Sequence, residues 1–257
     1  MNTQTETRFF LEKKQSAIDL PLIDTPTQSL ANYWFIALAS IAIILSQVAT
    51  NFVKTANPIE LGLVGLYQTF GPLLLFLLLF RYGAKQPLKT LYRRFSVRDL
   101  GVMLLFTVIN LAYGQLASSF IPSVANKSIV ASTGHGSLAN KILHFTTNSI
   151  LNVPALMIEE LFGIILFLAL AAMIKKYAHQ RRNASMWIAL VISMFMFGLM
   201  HFYVYDWHLA QMFFIIGVSR LITTGLYIRT KSIWPAFFAH WLTDTFIMFV
   251  TTFTLWQ

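Results

Sequence analysis

The chain has 257 residues, of which 56% are hydrophobic and only 11% charged, with a net charge of +9 and a mean hydropathy of +0.63. Soluble domains carry about a quarter charged residues, so these values exclude an ordinary globular enzyme and point to an integral membrane protein. The basic residues sit in short loops between apolar runs, which argues against nucleic acid as a partner, and the absence of cysteine excludes disulfides, iron–sulfur clusters and cysteine nucleophiles.

In chain order, residues 1–30 are polar and mixed in charge. They lack the apolar core and small-residue cleavage site of a secretory signal, and are expected to form a soluble cytoplasmic tail, partly disordered or lying on the membrane. Residues 31–257 are expected to be a transmembrane domain. Seven apolar runs in it approach the length of about 20 helical residues that spans a bilayer core: Ala31–Val53, Ile59–Phe80, Leu100–Ile121, Val153–Ile174, Met186–Tyr205, Leu209–Ile228 and Trp234–Leu255. The fold class is therefore all-α and polytopic. Ser96 followed three residues later by Asp99 reads as a capping box, and Pro154 and Pro235 stand where a first-turn proline is tolerated. The stretch Pro122–Asn148, with "STGHGS", reads as a loop whose His135 is solvated. If the spans alternate, fifteen Lys and Arg fall on one side and three on the other. The positive-inside rule then puts the N-terminus in the cytoplasm of a cell whose membrane the chain crosses repeatedly.

The spans are not uniformly apolar. Glu159 and Glu160 lie in the fourth, His201 in the fifth, Arg220 in the sixth, and His240 and Asp244 in the seventh. Each ionisable group at the bilayer centre costs at least about 2.5 kcal/mol, so the last four spans are expected to pack together around one polar site. Phe197 and His201 are four residues apart, as are His240 and Asp244, which places each pair on one helix face. A glutamate can act as general base on a water, with histidines holding that water or an oxyanion. Alternatively, two histidines and a glutamate (Glu160, His201 and His240) are a zinc ligand set, with Asp244 orienting His240 from outside it. A proton relay or ion site in a transporter is a third reading, disfavoured by the lack of an inverted repeat with broken helices. Arg220 is about 12 Å from the nearer end of its span, too deep to snorkel, so Glu159, Glu160 or Asp244 is the expected partner.

The "EE" at 159–160, "FGLMH" at 197–201 and "LYIRTKSIWPAFFAHWLTD" at 226–244 resemble, in order and separation, the CPBP family of intramembrane proteases, also called the CAAX-protease or Abi family. The resemblance covers a core of about 149–257. It implies an intramembrane endopeptidase acting on a peptide or membrane protein. Glu159 and Glu160 would carry the water-activating carboxylate with His201 as partner, and His240 and Asp244 would complete the site, with either a glutamic mechanism needing no cofactor or a bound Zn2+. Size and tail are similar to plantaricin-type bacteriocin immunity proteins, which implies a bacteriocin or its receptor as partner; a non-catalytic immunity protein masking that receptor is the alternative. Two features depart from the pattern. The family arginine four residues after the glutamates is replaced by Ile164. Helical rise also places Glu159, Glu160 and His201 in the outer half of the membrane but His240 near the inner end.

Overall fold

In the computed structural model, which describes residues 8–13, 19–24, 26–122, 124 and 137–254, seven helices are long and apolar enough to cross a membrane. They are α1 (Leu30–Ala49), α2 (Pro58–Leu78), α3 (Val97–Ser118), α4 (Leu138–Tyr177), α5 (Arg182–Met200), α6 (Leu209–Thr230) and α7 (Ile233–Thr254). No strand occurs among the described residues. In lipid the helix satisfies its own backbone groups, which is why the apolar runs resolve into this one element type. The helix starts are written locally. Ser29 and Ser137 accept from backbone N–H groups three residues on, Asn57 precedes a first-turn proline, and Ser96 and Asp99 form the expected capping box.

Helix α4 is the axis of the bundle. Its most apolar stretch is 83% buried, against 22% for each of α1, α2 and α3. A helix apolar on every face must be surrounded, and α4 packs against α1, α2, α5 and α7. The first three helices instead turn side chains such as Leu63, Leu66, Leu105 and Val108 outward, where lipid would cover them. At the α5–α6 crossing, a Cβ on Gly198 would overlap the Met212 carbonyl oxygen, so only glycine admits this approach. Met212 opens a π-helical stretch, Met212–Gly217, that breaks the regularity of α6.

Two sequence expectations need correction here. Helix α4 is 40 residues long and starts at Leu138, so residues 138–148 of the expected Pro122–Asn148 loop are helical; His135 lies outside the described residues. Pro154 sits inside the helix rather than in its first turn. The sequence 138–152 is more polar than a membrane span, yet Ser137 caps it and it continues the same helix. Moreover, the described parts of residues 8–29 are not free of the bundle. Phe9, Leu20, Leu22 and Ile23 are buried, and Phe9 and Phe10 meet the Trp187 ring at 5.1 and 5.5 Å. The Glu12 carboxylate accepts from Arg182 at 2.5 Å and from Lys231, while Asp24 accepts from Arg182 at 2.6 Å and Lys13 pairs with Asp99 at 2.5 Å. Burial alone would oppose ionisation of Glu12, but the hydrogen bonds and charge of Arg182 and Lys231 hold its carboxyl at about 2. Lys176 also donates to the Gln28 carbonyl at 2.8 Å. The acids of the segment thus neutralise the basic ends of α5 and α6, a pairing that the segment's polarity alone does not reveal.

Candidate active site

Glu160 is completely buried beneath the surface of α4. Its Oε1 accepts from the Arg220 guanidinium at 2.7 Å and lies 2.9 Å from His240 Nδ1. The anionic partner expected for Arg220 is therefore Glu160. The arginine is held on its other sides too: Nε donates to Thr224 Oγ1 at 3.1 Å, Nη2 donates to the Glu160 carbonyl at 3.4 Å, and the guanidinium carbon lies 5.2 Å from the centre of the Phe197 ring. Thr224 is one helical turn after Arg220, so its spacing carried the signal, although the motifs did not include it. The space for the guanidinium comes from Gly163, where a Cβ would overlap it. Gly163 directly precedes Ile164, the position at which the family pattern expects an arginine. The cation reaches this part of α4 from α6 instead.

Glu159 points elsewhere and is partly exposed. Its Oε2 lies 3.8 Å from His201 Nε2 and 3.8 Å from His240 Nε2. His201 ends α5, with its Nδ1 2.9 Å from the Phe197 carbonyl. A carbonyl only accepts, so that nitrogen carries the proton and, in the neutral ring, Nε2 presents its lone pair towards Glu159. Asp244, one turn along α7, has Oδ2 3.8 Å from His240 Nε2. Phe197 packs against both histidine rings, at 4.9 and 6.4 Å. The convergence disposes of the depth problem. Glu160 is 17 residues from the end of α4, whereas His240 is 7 from the start of α7. The two residues nonetheless touch. The ends of these helices are thus staggered, or their axes tilted, enough to absorb about 15 Å of helical rise. Helix α3 adds a polar group that the sequence did not flag: buried Asn110 donates to Thr243, next to Asp244, at 3.4 Å.

The structure does not assemble the expected zinc set of Glu160, His201 and His240. Among the described residues no group of three or more His, Asp or Glu is spaced to hold a metal. In the expected ligand set, Glu160 is committed to Arg220 and to His240 Nδ1, and it is Glu159 that faces both Nε2 atoms. The 3.8 Å gaps from Glu159 to the two Nε2 atoms are separations that a water can bridge.

Residues 150–246 match the family model described as Type II CAAX prenyl endopeptidase Rce1-like. The matched stretch contains Glu159, Glu160, His201, Arg220, His240 and Asp244, and it lies within the 149–257 core marked out by the CPBP resemblance. No curated protein and no solved structure matches the chain.

Proposed function

We propose that the chain is an intramembrane endopeptidase in which Glu159 activates a water, with the site carried by the core at about 149–257. The observation that supports this most is Glu159 Oε2 standing 3.8 Å from both His201 Nε2 and His240 Nε2. A water seated among them can donate one proton to Glu159 and the other to His201 Nε2. As Glu159 takes its proton, the water oxygen bonds to the scissile carbonyl carbon and the carbonyl electrons move to its oxygen. A protonated Nε2 of His240 can donate to that oxyanion. The C–N bond then breaks, and Glu159 returns the proton to the departing amine. Glu160 does not touch the water in this reading. It holds the His240 ring through Nδ1 and is itself anchored by Arg220. Asp244 faces the same histidine from its own helix.

The substrate is a peptide or membrane-protein segment that enters through the bilayer. The resemblance to bacteriocin immunity proteins makes self-immunity the physiological setting to test first. The charge asymmetry of the loops supports a cytoplasmic N-terminal segment in a chain of the cell membrane. The test is cleavage of a membrane-embedded reporter peptide by the full chain reconstituted in vesicles, alongside survival of cells exposed to bacteriocin. Glu159→Gln keeps the shape and removes the base, so cleavage and protection are both lost at normal expression. Protection that persists in Glu159→Gln and Glu160→Gln, with no cleavage by the unsubstituted chain, would establish the non-catalytic, receptor-masking alternative.

A further inference from the structure

The basic residues on the N-terminal side of the bundle fall into two groups. Lys13, Lys176, Arg182, Arg229 and Lys231 all engage protein acceptors. Arg81, Lys85, Lys89, Arg93, Arg94, Arg98 and Arg181 form no ion pair among the described residues; of these, Lys89, Arg93 and Arg94 lie in the segment joining α2 to α3, and Arg98 in the first turn of α3. The acid nearest to them in sequence, Asp99, is already bound to Lys13 and to Ser96. Arg93 is half-buried, and its Nη1 is shut off from solvent without a hydrogen-bond partner. That nitrogen faces the protein; the rest of the half-buried Arg93 and the exposed Arg94 are the parts open to an anion.

The same segment borders an open surface depression of about 300 Å³ lined by Tyr92, Arg93, Arg94, Phe95 and Trp234. Its frame is tied to the bundle: Ser232 Oγ donates to the Arg93 carbonyl at 2.7 Å, and Ile233 N to the Leu91 carbonyl at 2.9 Å. Burial pushes the Tyr92 phenol up to about 12, so it stays neutral beside an anion. The position of the depression narrows the ligand. Trp234 is the second residue of α7, and its ring meets Tyr92 at 5.4 Å. Phe95 and Val97, at the start of α3, are exposed apolar side chains. Arginines, aromatic rings at the head of a spanning helix and exposed apolar side chains nearby are the residue types that meet at a bilayer interface. A soluble phosphate would use the arginines and leave the apolar flank without a partner.

We propose that the depression between the α2–α3 segment and the head of α7 binds the phosphate headgroup of an anionic phospholipid, with Arg93 and Arg94 on the phosphate and Trp234 and Phe95 against the glycerol and upper acyl chains. Basic pockets between spanning helices are a recurrent mode of such recognition. The proposal requires no hydrolysis at Glu159. The full chain in phosphatidylcholine nanodiscs would be titrated with phosphatidylglycerol, and bound lipid counted by native mass spectrometry. The unsubstituted chain retains phosphatidylglycerol. Arg94→Gln, at an exposed position with no ion pair among the described residues, retains it several-fold less well, and Arg93→Gln with Arg94→Gln roughly tenfold or more less well. Arg181→Gln, equally basic and distant in sequence, retains it unchanged. Equal retention by Arg94→Gln and the unsubstituted chain, or an equal loss in Arg181→Gln, overturns the proposal. Displacement of the lipid by millimolar inorganic phosphate would assign the site to a soluble phosphate and overturn the lipid reading.

Discussion

Replacing Arg220 by leucine isolates the interaction on which the site rests. The Arg220–Glu160 pair is separated by 2.7 Å, with side chains 1% and 0% exposed. At an effective dielectric near 20 that contact is worth about 6 kcal/mol of attraction. Desolvation of the two ions consumes most of it, so the pair as a whole adds little net stability. Removing only the cation is different. Glu160 keeps its burial and loses its counter-charge, while Thr224 and the Phe197 face lose their partner. The expected cost is about 3–5 kcal/mol, or a fall in Tm on the order of 10 °C for a chain of this size. The assay is thermal unfolding of the full chain in detergent, followed by tryptophan fluorescence, beside cleavage of the reporter peptide. Arg220→Leu should lose both stability and cleavage. Arg220→Leu with Glu160→Leu removes the stranded charge and should recover most of the stability, but no cleavage, because His240 has lost its orienting carboxylate. A single variant within about 1 kcal/mol of the parent, or a double variant no more stable than the single, would refute the argument.

Three further outcomes follow from the same geometry. Ile164→Arg in the Arg220→Leu background puts a guanidinium one turn beyond Glu160 on its own helix and should restore part of the lost cleavage; no rescue would show that the two positions are not interchangeable. Gly163→Ala should cost about 3 kcal/mol, at the top of the overpacking range, by driving a methyl into the guanidinium, and much less in the Arg220→Leu background; equal costs in a double-mutant cycle would disprove the contact. The Glu12 carboxyl is held at about 2, below its ordinary 4.5. Its ionised form therefore stabilises the fold fully above pH 4.5, and that contribution disappears as the pH falls through 2. It is worth on the order of 3 kcal/mol, so Glu12→Gln should melt below the parent at neutral pH, with the difference closing on acidification. A gap independent of pH down to 2 would contradict the assignment.

Much of this was written along the chain. Seven apolar runs give seven helices because lipid leaves the backbone no other way to bond its own polar groups. Costly ionisable residues in the last four runs announced a shared site, and the spacing of His240 and Asp244 placed them on one face. Helix α4 extends beyond the expected span: the polarity of residues 138–152 and the proline at 154 mark a boundary locally, whereas the Ser137 cap and the packing of Phe145 on Phe249 and Phe253 of α7 start the helix a further 15 residues upstream. Composition likewise showed the first 30 residues to be polar, but not that Glu12 and Asp24 are matched to Arg182 and Lys231 at sequence separations beyond 150 residues. The choice between Glu159 and Glu160 lay entirely outside the reach of sequence. Adjacent residues project about 100° apart around a helix, so only one of them can face the Nε2 atoms of both histidines while the other is buried against Arg220. Which one does so depends on the rotation of α4 about its axis. That rotation is set by the neighbours packed around α4 and by the guanidinium lodged over Gly163, and neither is a property of any local stretch of sequence.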